Sequence, residues 1–292
     1  MATCFVHPMD VLKNRMQMQG EGGKAREYKT SMHLLSSIVR NEGVTAAYSG
    51  ISAGFLRQCT YATARLGIYT VLFEKMSTTT KSGKRKPPSF YEKMAIAAVA
   101  GGAGAAVGTP AEVCLVRMTT DGRLPAHLRR NYRNVFHALY RVAAEEGLAG
   151  VFRGIQPTIV RSVVTNVAQL VTYSQAKELL LSTGYFKDNI ITHFGAGMAS
   201  GLVTAFASLP PDMAKTRIQN MNVVAGGRVQ YHGMTDVIVS VARNEGIGSL
   251  WKGFTPYYMR IGPHTVLTLI FLEQLSGAYA KYILGQEKIG GI

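Results

Sequence analysis

Long apolar runs alternate with short amphipathic segments along this chain. Ile190 to Pro211 carries no Asp, Glu, Lys or Arg over 22 positions, long enough to cross the ~30 Å hydrocarbon core of a bilayer as a helix. Met94 to Ala111 is also uncharged, Ile155 to Ala176 carries only Arg161, and Ile261 to Leu272 is apolar beyond Arg260. A backbone in lipid must satisfy its own hydrogen bonds, so these stretches are predicted to be helices. Gly104 with Gly108, and Gly197 with Gly201, space small residues four apart, the face by which membrane helices pack closely. Between the apolar runs lie polar, glycine-containing loops, then short amphipathic segments such as Tyr132 to Glu146.

The pattern is a triplicate. Pro8, Asp10, Lys13 and Arg15 recur as Pro110, Glu112, Leu115 and Arg117, and again as Pro210, Asp212, Lys215 and Arg217. A second mark travels with the first: Glu42-Gly43 leads to Tyr48-Ser49-Gly50, Glu146-Gly147 to Phe152-Arg153-Gly154, and Glu245-Gly246 to Trp251-Lys252-Gly253. A third follows seven residues after each last glycine, at Arg57, Arg161 and Arg260. Self-similarity at a fixed period marks a repeat architecture, here with units at 1–81, 82–184 and 185–292.

Composition agrees with a membrane protein. Of 292 residues, 47% are hydrophobic and 17% charged, against about 25% charged in a soluble domain. The 31 glycines suit close helix packing; a glycine-rich soluble helical protein is the plainer alternative. The net charge of +15 points to an anionic partner, whether nucleic acid, membrane surface or substrate. The densest basic run, Lys81 to Lys86, reads as a solvated loop, and the uncharged 22-residue stretch argues against nucleic acid. Cys4, Cys59 and Cys114 are odd in number and far apart, so neither a disulfide framework nor a metal site is expected. No catalytic spacing or phosphate loop is present, so no enzyme and no cofactor are expected.

The arginines carry the candidate chemistry. Arg57, Tyr61 and Arg65 lie at i, i+4 and i+8 on one helix face. Arg161, Thr165 and Gln169 repeat the spacing, as do Arg260, His264 and Thr268. Threefold symmetry would aim the three faces at a common axis, and a charge within a membrane segment normally faces a wet cavity. Guanidinium binds carboxylate through a planar fork and stays charged, so this set suits a small dicarboxylate. Tyr61 and Gln169 are placed to bond a keto or hydroxyl oxygen. The competing reading is that the arginines pair with acids to hold the structure. Pro8, Pro110 and Pro210 are expected to kink their helices.

At these residues the chain resembles the mitochondrial carrier family, whose signature is the proline–acid–base element repeated about every hundred residues. The resemblance covers essentially the whole chain. It implies an all-α membrane protein: a pseudo-threefold barrel of six tilted transmembrane helices around a central substrate site, with three short helices on the matrix side. It places the protein in the mitochondrial inner membrane and implies a monomer. Arg57 to Tyr61, Arg65 to Tyr69, Arg117 to Pro125, Trp251 to Tyr258 and Gly262 to Thr268 look like the branch that exchanges 2-oxoglutarate for malate. Alternatives within the family are a dicarboxylate–phosphate or proton-leak type; a transport-incompetent paralogue or scaffold lies outside transport.

The resemblance also implies a matrix gate in which Asp10, Lys13, Glu112, Asp212 and Lys215 take part. Glu112 would pair with Lys215, and Asp212 with Lys13. Leu115 occupies the third base position, so Asp10 would lack its partner and the ring would close with two ion pairs. Tyr173 and Lys177 match only part of the family's second gate. Gly50, Gly154 and Gly253 open helices whose free N–H groups bind phosphate; the resemblance implies cardiolipin there, and a plain turn glycine is the alternative. Repeats two and three have about twenty apolar residues before their proline, whereas repeat one has Met1 to His7. The first helix is therefore expected to be truncated.

Overall fold

The structure is a computed structural model that describes residues 2–20, 28, 30–79, 85–86, 88–124, 129–182, 190–221, 231 and 233–260. His264, Thr268 and the apolar run 261–272 lie outside the described residues.

Among the described residues, eight α-helices follow one another: α1 (Ala2–Gln17), α2 (Ser31–Glu42), α3 (Ile51–Met76), α4 (Phe90–Thr120), α5 (Val135–Val151), α6 (Ile155–Ser182), α7 (Ile190–Asn220) and α8 (Met234–Glu245). A further helical stretch covers 254–260. One small antiparallel pairing, Thr78–Thr79 with Arg85–Lys86, lies between α3 and α4. The long helices span 26 to 31 residues, about 39–46 Å at the helical rise. By comparison α1 has 16 residues. Among the described residues, Phe90–Arg123 is the one helix apolar enough over its length to cross a membrane on composition alone.

Local sequence fixes the helix ends. Thr30 and Asn134 accept from the N–H groups of His33 and His137, three residues on. Ser89 and Glu92 form a reciprocal capping box at the start of α4. The glycine of each Glu-Gly mark has a positive φ: 86° at Gly43, 70° at Gly147 and 86° at Gly246. These stop α2 and α8 and break α5 near its end, because only glycine takes that conformation without strain.

Polarity is inverted relative to a water-soluble protein. On α7, Phe194, Leu202, Val203 and Phe206 are exposed, whereas Thr192, Ser200, Thr204 and Ser208 are buried. Apolar side chains outward and polar ones inward suit a helix with lipid on one side. It also lowers mean hydropathy, so composition alone understates these spans.

Helices α3 and α4, α6 and α7, and α4 and α6 pack along one another. The Gly104–Gly108 face lies against α3: a Cβ on Gly104 would come within 3.2 Å of backbone atoms of Tyr61 and Arg65. At Gly197, by contrast, no described atom lies within 4 Å of such a Cβ. Three equivalent apolar clusters sit near one end. Leu12 and Met16 pack with Leu34 and Ile38, Cys114 and Met118 with Val135 and Ala138, and Ala214 and Ile218 with Val237 and Val241. Each joins a proline helix to the short helix of its own repeat.

Candidate functional site

Beneath those clusters the proline helices meet in a ring of buried charge. Arg15, Arg117 and Arg217 are among the largest fully buried side chains. Each forms a two-pronged ion pair with the Glu of its own repeat. Arg15 Nη1 lies 2.5 Å from Glu42 Oε1, Arg117 Nη1 2.5 Å from Glu146 Oε1, and Arg217 Nη1 2.5 Å from Glu245 Oε1. Each arginine also reaches the next repeat. Arg15 Nε donates to the Thr119 carbonyl at 2.9 Å, Arg117 Nε to Gln219 at 3.0 Å, and Arg217 Nε to Gln17 at 3.3 Å. The three carbonyls are equivalent, so the pattern runs one to two, two to three, and three to one. A cyclic bond set of this kind is the pseudo-threefold closure written in hydrogen bonds.

A second layer of charge lies closer to the prolines. Lys13 pairs with Asp212, and Lys215 with Glu112. Gln17 Nε2 donates to Asp212 Oδ2 at 2.7 Å, and Gln17 Oε1 accepts from Thr216 Oγ1 at 2.7 Å. The expectation that Asp10 lacks a partner is corrected: Arg260 closes onto Asp10. The two expected pairs between proline-element acids and bases do form, and Arg260, from outside that base series, engages the third acid. Leu115 instead packs in the apolar cluster with Ala53. A buried carboxylate without a cation is expensive, and Arg260 is the side chain that reaches it.

The three repeated arginines therefore stand over the charge ring. Arg161 Nε is 2.5 Å from Asp212 Oδ1, close but out of line for a hydrogen bond. Arg57 acts through space on both Asp10 and Glu112. Tyr61 Oη lies 3.2 Å from Ser162 Oγ. Arg65 and Gln169 are exposed, and the Gln169 carbonyl accepts from Ser200 Oγ at 3.0 Å. Farther along α6, Tyr173 Oη meets His193 Nδ1 at 2.5 Å.

The prolines lie inside α1, α4 and α7. Proline cannot donate to the carbonyl four residues back, so Pro210 frees the Phe206 carbonyl. The Trp251 indole N–H fills that place at 3.0 Å, with its ring stacked on Phe206. The glycines of the aromatic-x-Gly marks have positive φ, 78° at Gly50, 74° at Gly154 and 89° at Gly253. Each presses on the next repeat's proline helix: Gly50 on Met118, Gly154 on Gln219, Gly253 on Lys13. A cleft of ≈ 650 Å³ runs from Thr30 and Ser31 at the start of α2 to Lys252 and Gly253.

Sequence reasoning assigned no partners to Arg15, Arg117 and Arg217. The signal was present: arginine and glutamate recur at separations of 27, 29 and 28 residues. Gln17 had no such signal, since its counterpart in repeat two is Thr119.

Three helical repeats closed by a cyclic set of charges around an arginine-lined centre define a membrane solute carrier. The profile of the mitochondrial carrier protein family matches residues 1–79, 86–184 and 186–282, and the chain belongs to that family. It is 58% identical over 97% of its length to the mouse mitochondrial 2-oxoglutarate/malate carrier protein, covering 88% of that protein. It is 54% identical over 98% of its length to the Caenorhabditis elegans protein of the same name, covering 91%. Mitochondrial uncoupling protein 5 of Arabidopsis thaliana is 39% identical over 96% of the chain and 95% of that protein.

Proposed function

We propose that this protein exchanges small dicarboxylates, 2-oxoglutarate for malate, across the mitochondrial inner membrane by alternating access. The higher identity to 2-oxoglutarate/malate carriers than to an uncoupling protein supports that substrate class. The observation that carries the mechanism is the position of Arg161 and Arg260 on the gate acids Asp212 and Asp10. A dianion entering between Arg57, Arg161 and Arg260 offers carboxylates that compete with those acids. Binding then loosens the closure, because a ligand shifts an equilibrium by its difference in affinity for the two states. Tyr61, Arg65, Gln169 and His264 complete the substrate set; Asp10, Lys13, Glu112, Asp212 and Lys215 form the matrix gate.

Six tilted transmembrane helices, with α2, α5 and α8 on the matrix side, fit the long helices and the inverted polarity of α7. The units 1–81, 82–184 and 185–292 follow the repeat of the charge ring. Gly50, Gly154 and Gly253 are the cardiolipin-binding positions, and the cleft beside Gly253 has room for a headgroup near the N-terminus of α2. The protein acts as a monomer.

Uptake of labelled 2-oxoglutarate into liposomes carrying the purified chain tests this reading. Uptake that requires internal malate supports it. No uptake at any internal dicarboxylate rejects it.

A further inference from the structure

Tyr61 of α3 is tied into a buried polar node shared with α4 and α6. Its Oη lies 3.2 Å from Ser162 Oγ on α6. Ser162 is 3% exposed, and its Oγ lies 2.8 Å from the Gly101 carbonyl of α4. Asn166 Nδ2, one turn on, sits 2.7 Å from the Ser162 carbonyl and 3.3 Å from Ser162 Oγ. Gly101 makes room for the node, because a Cβ there would overlap the Asn166 amide. Tyr61 itself is fixed from below: Gly104 and Gly108 hold α4 against its backbone and Cβ.

The hydrogens of this node have one consistent assignment. A carbonyl only accepts, and an amide nitrogen only donates. Two oxygens at 2.8 Å need a proton between them, and that is the usual O–H···O length. The single hydrogen of Ser162 therefore goes to Gly101. Toward its other neighbours Ser162 Oγ is an acceptor, taking one hydrogen from Asn166 and one from Tyr61. Asn166 also bonds the Tyr61 hydroxyl, and there too the amide donates. The one hydrogen of Tyr61 is thus engaged by Ser162. Its oxygen is left as an acceptor beside Arg65 and Arg161, which act on it through space.

We infer that Ser162 sets Tyr61 as a hydrogen-bond acceptor toward the substrate, so that this position reads a 2-hydroxyl group and offers a 2-keto oxygen no donor. The inference rests on the dicarboxylate reading above, and Ser162 is a positioning residue that acts through Tyr61. The hydroxyl of malate carries a hydrogen that the Tyr61 oxygen takes without disturbing the node. The keto oxygen of 2-oxoglutarate only accepts. To bond it, Tyr61 must withdraw its hydrogen from Ser162 and forfeit that bond, a loss of roughly twofold to tenfold in affinity at the usual net worth of one hydrogen bond. Guanidinium groups donate to either oxygen, so the arginines do not make this distinction.

Two pairs of dicarboxylates isolate the two oxygens. Malate is succinate with a hydroxyl, and 2-oxoglutarate is glutarate with a keto oxygen. Each of the four is titrated as an external competitor of labelled malate uptake into malate-loaded liposomes. The hydroxyl gain (malate over succinate) and the keto gain (2-oxoglutarate over glutarate) are read as ratios of inhibition constants. Ser162→Ala releases the Tyr61 hydrogen, so the keto gain rises roughly twofold to tenfold while the hydroxyl gain keeps its parental value. In a Tyr61→Phe background the same Ser162→Ala change moves neither ratio. A keto gain that does not rise, or that rises as much without the Tyr61 hydroxyl, overturns the inference. A loss of packing alone would weaken all four competitors alike and leave both ratios where they were, which also overturns it. Where a variant does not exchange, the ratios are read from the rise in melting temperature that each dicarboxylate produces in the detergent-solubilised protein. A parent chain that exchanges none of the four rejects the dicarboxylate reading and this inference with it. A parent that exchanges them, with ratios unmoved by Ser162→Ala, rejects this inference alone.

Discussion

Arg260 holds Asp10 across 250 positions of sequence, joining a side chain of the proposed substrate face to the acid of the first proline element. The same arrangement recurs between Arg161 and Asp212. Under the proposed function, a substrate carboxylate at either arginine competes directly with a gate acid, and binding and opening are one event.

Arg260→Ala or Arg161→Ala is expected to abolish exchange while leaving insertion intact. The two losses should differ in character: Asp212 keeps Lys13 when Arg161 is removed, whereas Asp10 loses its ion pair with Arg260. The double variant Asp10→Asn with Arg260→Ala should recover thermal stability relative to Arg260→Ala alone, without recovering exchange. Reconstituted uptake and melting temperature read the two effects separately, and normal exchange by either single variant refutes the shared role.

The buried pairs of the outer ring should be costly to break. Glu146→Ala leaves Arg117 buried without its carboxylate, a change that typically costs ~3–5 kcal/mol. Glu42→Ala should cost less, because Glu42 is the more exposed acid. Thermal unfolding of the detergent-solubilised variants gives the order, and equal losses contradict it.

Acid should loosen the outer ring at Glu245. Burial raises this carboxyl, but hydrogen bonds from Arg217 and Lys252 outweigh it and hold the group below its usual value. A carboxyl depressed on folding stabilises fully above its unfolded value, and that contribution is lost as pH falls through the lower folded value. The melting temperature should therefore fall as pH drops below the ordinary carboxylate range. Glu245→Gln should be less stable than the parent at neutral pH and show a shallower acid limb in a melting-temperature series against pH.

Two glycines of similar sequence setting should behave oppositely. A methyl group at Gly104 meets the α3 backbone, so Gly104→Ala is expected to cost about 1–3 kcal/mol through overpacking. Gly197→Ala meets no described neighbour and should be neutral or stabilise by up to about 1 kcal/mol through helix propensity. Melting temperatures of the two variants test the contrast.

Trp251→Phe keeps an aromatic ring over Phe206 but leaves the carbonyl freed by Pro210 without its donor. On an exposed, lipid-facing surface no water is at hand to replace that bond. The variant should melt lower by the worth of one hydrogen bond, about 1 kcal/mol. An unchanged melting temperature would show that the indole N–H is dispensable.

The sequence by itself determined the repeat, the family and the helical faces. Covalent spacing is enough for these: a proline, an acid and a base at fixed offsets fall on predictable sides of a helix, and triplication places them around an axis. It also exposed Leu115 as the break in the base series. Tertiary structure alone decided what Asp10 does about that break. Partner choice depends on how helices tilt and which long side chain can reach, and a buried carboxylate takes whichever cation comes within range. Arg260 is adjacent in space and remote in sequence, so the spacing of Asp10 and Lys13 carried no trace of it.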